Sequence, residues 1–325
     1  MEIQDIRGKW LLVSPRSGNA YASVRIDSTS LPDIFLGMDS ESKRCLILKL
    51  PKGYPADFQS SVKQNLSLSL YTETGWVVLT LLDDDFYDLF DDLIFSIYIK
   101  IHSMSSAGLY VTELLKTYYK WSEFFRDTHN QSLADETIRG LFGELIVLNE
   151  MLLESASTDI NDVLNSWKGP YDTNHDFVNE TCDKEVKTRL ESILNIRIAS
   201  EHQLQADVGK NLELIIVTLV SDTINGVSLL DLVITIRDVV ISKLGDYTIV
   251  LNGLSQKGLN VNSLQAYNNL RFIPVKITGY DCCQNEFPKI VRSNIAAAVS
   301  SVSYKLNVEE LKPFILSERL FNGNK

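Results

Sequence analysis

Cysteine is scarce and unpatterned in this chain: four residues in 325, Cys45, Cys182, Cys282 and Cys283, with no C-x-x-C pair among them. Neighbouring Cys282 and Cys283 cannot form a relaxed bridge with each other, and no zinc framework is visible. Mostly buried free thiols in a reducing cytosol are expected. The opening stretch MEIQDIRGKW is charged and has no apolar signal core. No run approaches the ~18 apolar residues that span a bilayer. The nearest, LFDDLIFSIYIKI, is short and carries two Asp. These absences predict a cytoplasmic protein without a membrane partner. Basic excess is also lacking, since the formal net charge is −11. That balance argues against coating nucleic acid over a broad surface. It is compatible with a small basic cleft on an acidic body, because steering follows local potential.

What is present is material for two domains. Apolar residues make up 45% of the chain, enough for full cores. The first 80 or so residues alternate short apolar runs (YASVRID, RCLILKL, LSLSLYT, GWVVLTLLD) with turn residues. A small sheet or partial barrel is expected there. The run DDDFYDLFDD holds six Asp but lacks the glycine and ligand frame of a calcium loop. Asp83 to Asp85 are read as a helix cap, with the other Asp on the wet side. Helical patterning continues through Ile101, then over Ala107–Arg126, whose aromatics YYKWSEFF read as a packing seam, then over Leu133–Leu153. STDINDVLNSWKGPYDT reads as a loop. Strands follow near 176–180, 184–190, 194–199 and 212–220, helices near 228–242 and 246–255, and strands at 270–280 and 299–308. The division expected is a β-rich domain over 1–82, a helical connector over 83–132 and an α/β domain over 133–325.

Two stretches of the last region carry candidate chemistry. In RGLFGELIVLNE, the helical neighbours of Glu144 at three and four positions are Gly140, Leu141, Val147 and Leu148. Glu144 therefore lies on the face that should pack, where a lone carboxylate is costly unless paired or metal-bound. A salt bridge to Arg139, Arg189 or Arg197 and a ligand site are both open readings. Gly140 and Gly143 would let the helix approach a sheet closely. In HDFVNETCDKEVK, Asp176 is followed nine positions later by Glu185 and two beyond that by Lys187. Read as a hairpin, this sets Asp176 across from Glu185 or Lys187, roughly 5 Å away. Two carboxylates and an ammonium then share one site, within reach of Glu144. The set suits Mg²⁺, with the Val186 backbone carbonyl as a further oxygen ligand, and hence phosphodiester hydrolysis. The competing reading is a solvated hairpin with ordinary cross-strand charge pairs.

A helix with an inward Glu, a loop, an Asp and then E-x-K on a strand resembles the PD-(D/E)XK nuclease superfamily. GLFGELIVLNEMLL, SWKGPYDTNHDFV, EVKTR and IRIASEHQL together resemble an uncharacterised bacterial family within it, over about Gly140 to Gln205. The resemblance implies a restriction-endonuclease-like fold, a mixed β-sheet core flanked by helices, preceded by the β-rich N-terminal domain. It implies Glu144 as the helix carboxylate, Asp176 as central metal ligand, Glu185 as second ligand and Lys187 as catalytic lysine. His175 stands where the superfamily name has Pro. His175 and Gln203 are candidate substrate contacts, and Trp167, Gly169 and Pro170 shape the approach loop. The implied cofactor is Mg²⁺, with Mn²⁺ as substitute. The implied partners are DNA, DNA methyltransferase and helicase-like ATPase subunits of phage-defence clusters, and a second copy in a homodimer. The alternative is a non-catalytic interaction or scaffold subunit that retains the nuclease fold.

Overall fold

The structure is a computed structural model describing residues 1–14, 21–56, 58–126, 132–171 and 173–321. Contacts divide the chain into two compact units, Met1–Asp127 and Thr128–Lys325.

In the first unit a short helix, α1 (Ile3–Lys9), precedes six strands: β1 (Tyr21–Arg25), β2 (Asp33–Asp39), β3 (Arg44–Lys49), β4 (Ser61–Lys63), β5 (Leu66–Tyr71) and β6 (Trp76–Leu81). They form one antiparallel sheet in the order β1-β2-β3-β6-β5-β4. Central strand β3 buries Cys45, Leu46, Ile47 and Leu48 in succession, so both faces of the sheet are covered there. On one face Cys45, Ile47 and Val78 make a small core under Tyr21, Phe35 and Trp76. The hydroxyls of Tyr21 on β1 and Tyr71 on β5 share a 3.0 Å hydrogen bond, although three strands lie between them. A flat sheet would hold those two strands roughly 19 Å apart. The sheet therefore curls, toward the second of the two forms expected, a small sheet or a partial barrel.

Two helices complete this unit, α2 (Tyr87–Ile101) and α3 (Ala107–Ser122), so residues 83–126 lie within it. Asp83 caps the entry to α2 by accepting the Asp85 N–H at 3.0 Å. Asp91 and Asp92, expected on the wet side, are buried. Asp91 accepts the Trp10 indole N–H at 2.7 Å and lies 3.4 Å from Arg44 and 3.8 Å from Arg7. Its charge is neutralised by residues far away in sequence, which makes burial tolerable. Tyr118, Trp121 and Phe125 are buried as a packing seam within this unit, with the Phe125 ring 5.7 Å from that of Phe86.

The second unit contains α4 (Asp135–Glu154), α5 (Ile160–Ser166), β7 (Cys182–Leu190), β8 (Asn195–Ile198), β9 (Asn211–Ser221), β10 (Val227–Ser228), α6 (Leu229–Ser242), α7 (Thr248–Gln256), β11 (Arg271–Asp281), β12 (Tyr304–Asn307) and β13 (Ile315–Leu320). Its main sheet runs β10-β11-β9-β7, with β13 added to β11 and only β7 and β9 parallel. This is the mixed sheet with flanking helices of an α+β fold. The apolar run of β9 is buried on both faces, as the centre of such a sheet requires. Leu212, Leu214 and Ile216 meet a core shared with the separate β8–β12 ribbon. Helix α4 lies against β7, where a Cβ on Gly143 would collide with the Thr188 hydroxyl. Glycine at 143 is what lets helix and strand approach so closely.

Several local expectations fail. No strand forms over 176–180. Phe177 alone bridges Trp167 on one side and Lys184 on the other. The segment is polar and short, and Asn179 gives its N–H to the Asp183 carboxylate rather than to a ladder. α5 lies where a loop was expected, because Ile160 and Leu164 are the only apolar anchors of its buried side. The last strand is β13, not the 299–308 segment, of which only β12 is extended in a ladder. Among the described residues no helix is long and apolar enough to cross a membrane.

Candidate active site

A strand residue directs its N–H and C=O to the same edge, so strand β7 has one edge for β9 and one that must be satisfied otherwise. Lys184 uses the second edge to bond Phe177, with N–H to O at 2.8 Å and the return bond at 3.0 Å. Two residues on, the Val186 N–H donates to the Asp176 carboxylate at 2.7 Å. The side chain of Asp176 thus ends the ladder, and the Val186 carbonyl on the same edge opens beside it. Beyond this point a cleft of about 410 Å³ is lined by residues of α4, β7, β8 and the turn before Asp176.

Glu144, Asp176, Val186, Lys187 and Gln203 all line that cleft. Glu144 comes from the middle of α4 and accepts the Trp167 indole N–H at 2.9 Å. Its partner is thus none of the arginines considered from sequence. Glu185 is 1% exposed and accepts the Lys187 ammonium at 2.5 Å. Gln203 holds the Ala199 N–H with its Oε1 at 2.7 Å. His175 does not join them: it is 2% exposed, and its Nδ1 faces Asp183 at 3.7 Å. Arg139, Arg197 and Lys257 also line the cleft, giving it a basic wall on an acidic chain. Arg139 and Lys257 were not foreseen as a pair of cleft cations, because Lys257 follows α7 and only the fold brings it here. Of the other basic side chains on β7, Lys184 pairs with Glu213, and Arg189 donates to the carbonyls of Glu191 and Ile193.

The electrostatics are those of a crowded acidic centre. Burial, reinforced by the Asp176 charge, pushes the Glu144 carboxyl up to about 8. Burial likewise pushes Glu185 up to about 8, against the pull of Lys187. Asp176 is raised by burial too, with Lys187 and the Val186 N–H opposing. Gly169 stands at the meeting point of two of these groups. A Cβ there would lie 2.9 Å from Asp176 Oδ1 and closer still to Glu144 Oε2. The missing side chain therefore leaves an oxygen-lined space between two half-buried carboxylates. Clustered hard oxygen donors, whose ionisation is disfavoured until a cation sits among them, are what a divalent cation of the Mg²⁺ class requires, so the residues fit such an ion. A second acidic cluster, His175, Asp183 and Asp207, brings ligand atoms within 4.8 Å of one another. There Asp183 already holds the Lys210 ammonium at 3.1 Å.

A mixed sheet whose edge strand carries E-x-K, with an aspartate ending its ladder and a glutamate entering from the packed helix, has the arrangement that the sequence resemblance implies. The family model described as "Putative PD-(D/E)XK family member, (DUF4420)" matches residues 9–309, and the chain belongs to that family. No curated protein and no solved structure matches the chain.

Proposed function

We propose that this chain is a Mg²⁺-dependent DNA endonuclease that hydrolyses phosphodiester bonds in the cleft beside β7. The observation that supports this most is the oxygen-lined gap at Gly169, between Glu144 and Asp176, next to the Glu185–Lys187 pair. Asp176, Glu185, Glu144 and the Val186 carbonyl would hold the ion, which supplies Lewis acidity and lowers the pKa of a bound water. Lys187 orients the attacking water and offsets negative charge that builds on the phosphate oxygens. Arg139, Arg197 and Lys257 grip the phosphates that flank the cut. Gln203 offers its remaining amide N–H groups to the same backbone. The net charge of −11 supports a role for partner subunits of a restriction-like defence system in DNA grip and target choice.

The test is plasmid cleavage by the full chain, on unmodified and methylated DNA, with Mg²⁺, Mn²⁺ or EDTA. Nicking or cutting that needs metal and falls at least about a hundredfold in Lys187→Ala is the expected result. Cleavage that survives both EDTA and Lys187→Ala would belong to another agent. No cleavage, together with no Mn²⁺ binding, would make the chain a non-catalytic subunit.

A further inference from the structure

One short segment contacts both acidic residues that flank the gap. Trp167, Lys168 and Gly169 lie between α5 and the turn that leads to Asp176. Trp167 is 2% exposed, and its indole N–H is the donor that holds Glu144 Oε2 at 2.9 Å. The N–H groups of Lys168 and Gly169 both donate to the backbone carbonyl of Asp176, at 2.7 and 3.0 Å. Trp167 also bridges Phe177, the residue after Asp176, and Val178 N–H bonds the Ser166 carbonyl at 2.8 Å. The segment is itself backed by α7. A Cβ on Gly253 would come within 2.5 Å of the Trp167 ring, so the indole is seated directly on helix backbone. Gly169 then supplies the empty volume between the two acids.

We infer that Trp167–Gly169 is a positioning strap that fixes Glu144 and Asp176 relative to each other and keeps open the cation space between them. The inference rests on the metal-site reading above. A half-buried carboxylate with one fixed donor has one orientation. Without that donor it turns toward whatever cation or water is nearest. The strap couples the two acids through a single rigid element: it bonds one by its side chain and the other by its backbone. Trp167 is not among the residues that line the cleft, so it is a positioning residue, and Gly169 acts by what it leaves out.

The measurement is calorimetric titration of Mn²⁺ into the full chain, with thermal melts of every variant. Wild type is expected to bind, and Asp176→Asn to lose binding. Trp167→Phe keeps an aromatic ring but removes the donor. Gly169→Ala forces the Glu144 carboxylate and the Asp176 Oδ1 to shift, both side-chain ends rather than backbone. Each is expected to bind Mn²⁺ about 10–100-fold more weakly. Gly169→Ala should melt within about 4 °C of wild type, and it decides the matter if Trp167→Phe does not fold. In a Glu144→Ala background Trp167→Phe should cost little further affinity, since it acts through Glu144. A purely structural tryptophan would lower the melt of both backgrounds and leave Mn²⁺ affinity unmoved. If wild type binds, Asp176→Asn does not, and both strap variants bind like wild type, the strap is overturned while the metal site stands. If wild type does not bind, or Asp176→Asn binds as well as wild type, the metal site falls and the strap with it.

Discussion

At the scale of single residues, the site stores its cost in protonation. Glu144 and Glu185 ordinarily titrate near 4.5, and in the fold both are pushed up to about 8. A carboxyl raised in this way favours the fold in its neutral form. Its contribution is fully present below about 4.5 and is lost as pH rises through about 8. Carboxylates held low work in the opposite sense and at lower pH. Asp27, held by the Thr29 N–H, and Asp222, held by the Asn225 N–H, lose their contributions only in acid. Between about pH 5 and pH 8 the raised pair dominates. The metal-free protein in EDTA should therefore melt at lower temperature as pH rises across that window. Glu144→Gln or Glu185→Gln should flatten the curve, and Mn²⁺ at pH 8 should raise the wild-type melt by linkage. A wild-type curve that is flat from pH 5 to 8 would mean that these acids are solvated in a way the cleft geometry does not provide.

At the scale of elements, the contact between α4 and β7 sets the position of Glu144 over the strand that carries Glu185 and Lys187. Gly143 packs against Thr188, and an added Cβ meets the Thr188 hydroxyl and its neighbouring carbons. Gly143→Ala should destabilise the fold by about 1–3 kcal/mol, the range for overpacking. Thr188→Ala in the same chain should recover much of that loss, which denaturant melts of the two single variants and the double would show. Gly140, one turn earlier, has open space where a methyl would stand, with nothing within 4 Å, and should accept Ala freely. The sequence made α4 legible because Glu144 interrupts an otherwise apolar helical face, and made β7 legible because Glu185, Lys187 and Arg189 alternate with Val186 and Thr188. Asp176 was legible only by its spacing from Glu185. The strand expected around it does not form, because a side chain rather than a second strand satisfies the Val186 N–H. β13 has all six residues exposed, so it gives no alternation to read. The cap role of Trp167 toward Glu144 left no local trace, since 23 residues separate the two.

At the scale of the whole molecule, the contrast is between a net charge of −11 and a cleft lined by Arg139, Lys187, Arg197 and Lys257. Those four cations come from α4, β7, β8 and the residue after α7. No run of basic residues announces them, and the fold alone concentrates them. Affinity for nucleic acid should then be local, strongly salt-dependent and weaker than that of a basic DNA-coating protein. Each phosphate neutralised contributes a slope of about −0.9 to the plot of log affinity against log salt. Binding of duplex DNA in EDTA, measured from low to moderate salt, should lose roughly one unit of slope in Arg139→Ala and again in Lys257→Ala, uniformly across sequences. Both side chains lie on the cleft wall, and their truncation leaves the Glu144–Trp167 and Asp176–Val186 bonds in place. The melt and the Mn²⁺ titration should accordingly stay near wild type in Arg139→Ala, whereas Lys257→Ala also removes a positive charge that favours the ionised forms of Glu144 and Asp176. An unchanged slope in both variants would place the DNA grip elsewhere on the molecule and leave the cleft to the chemistry alone.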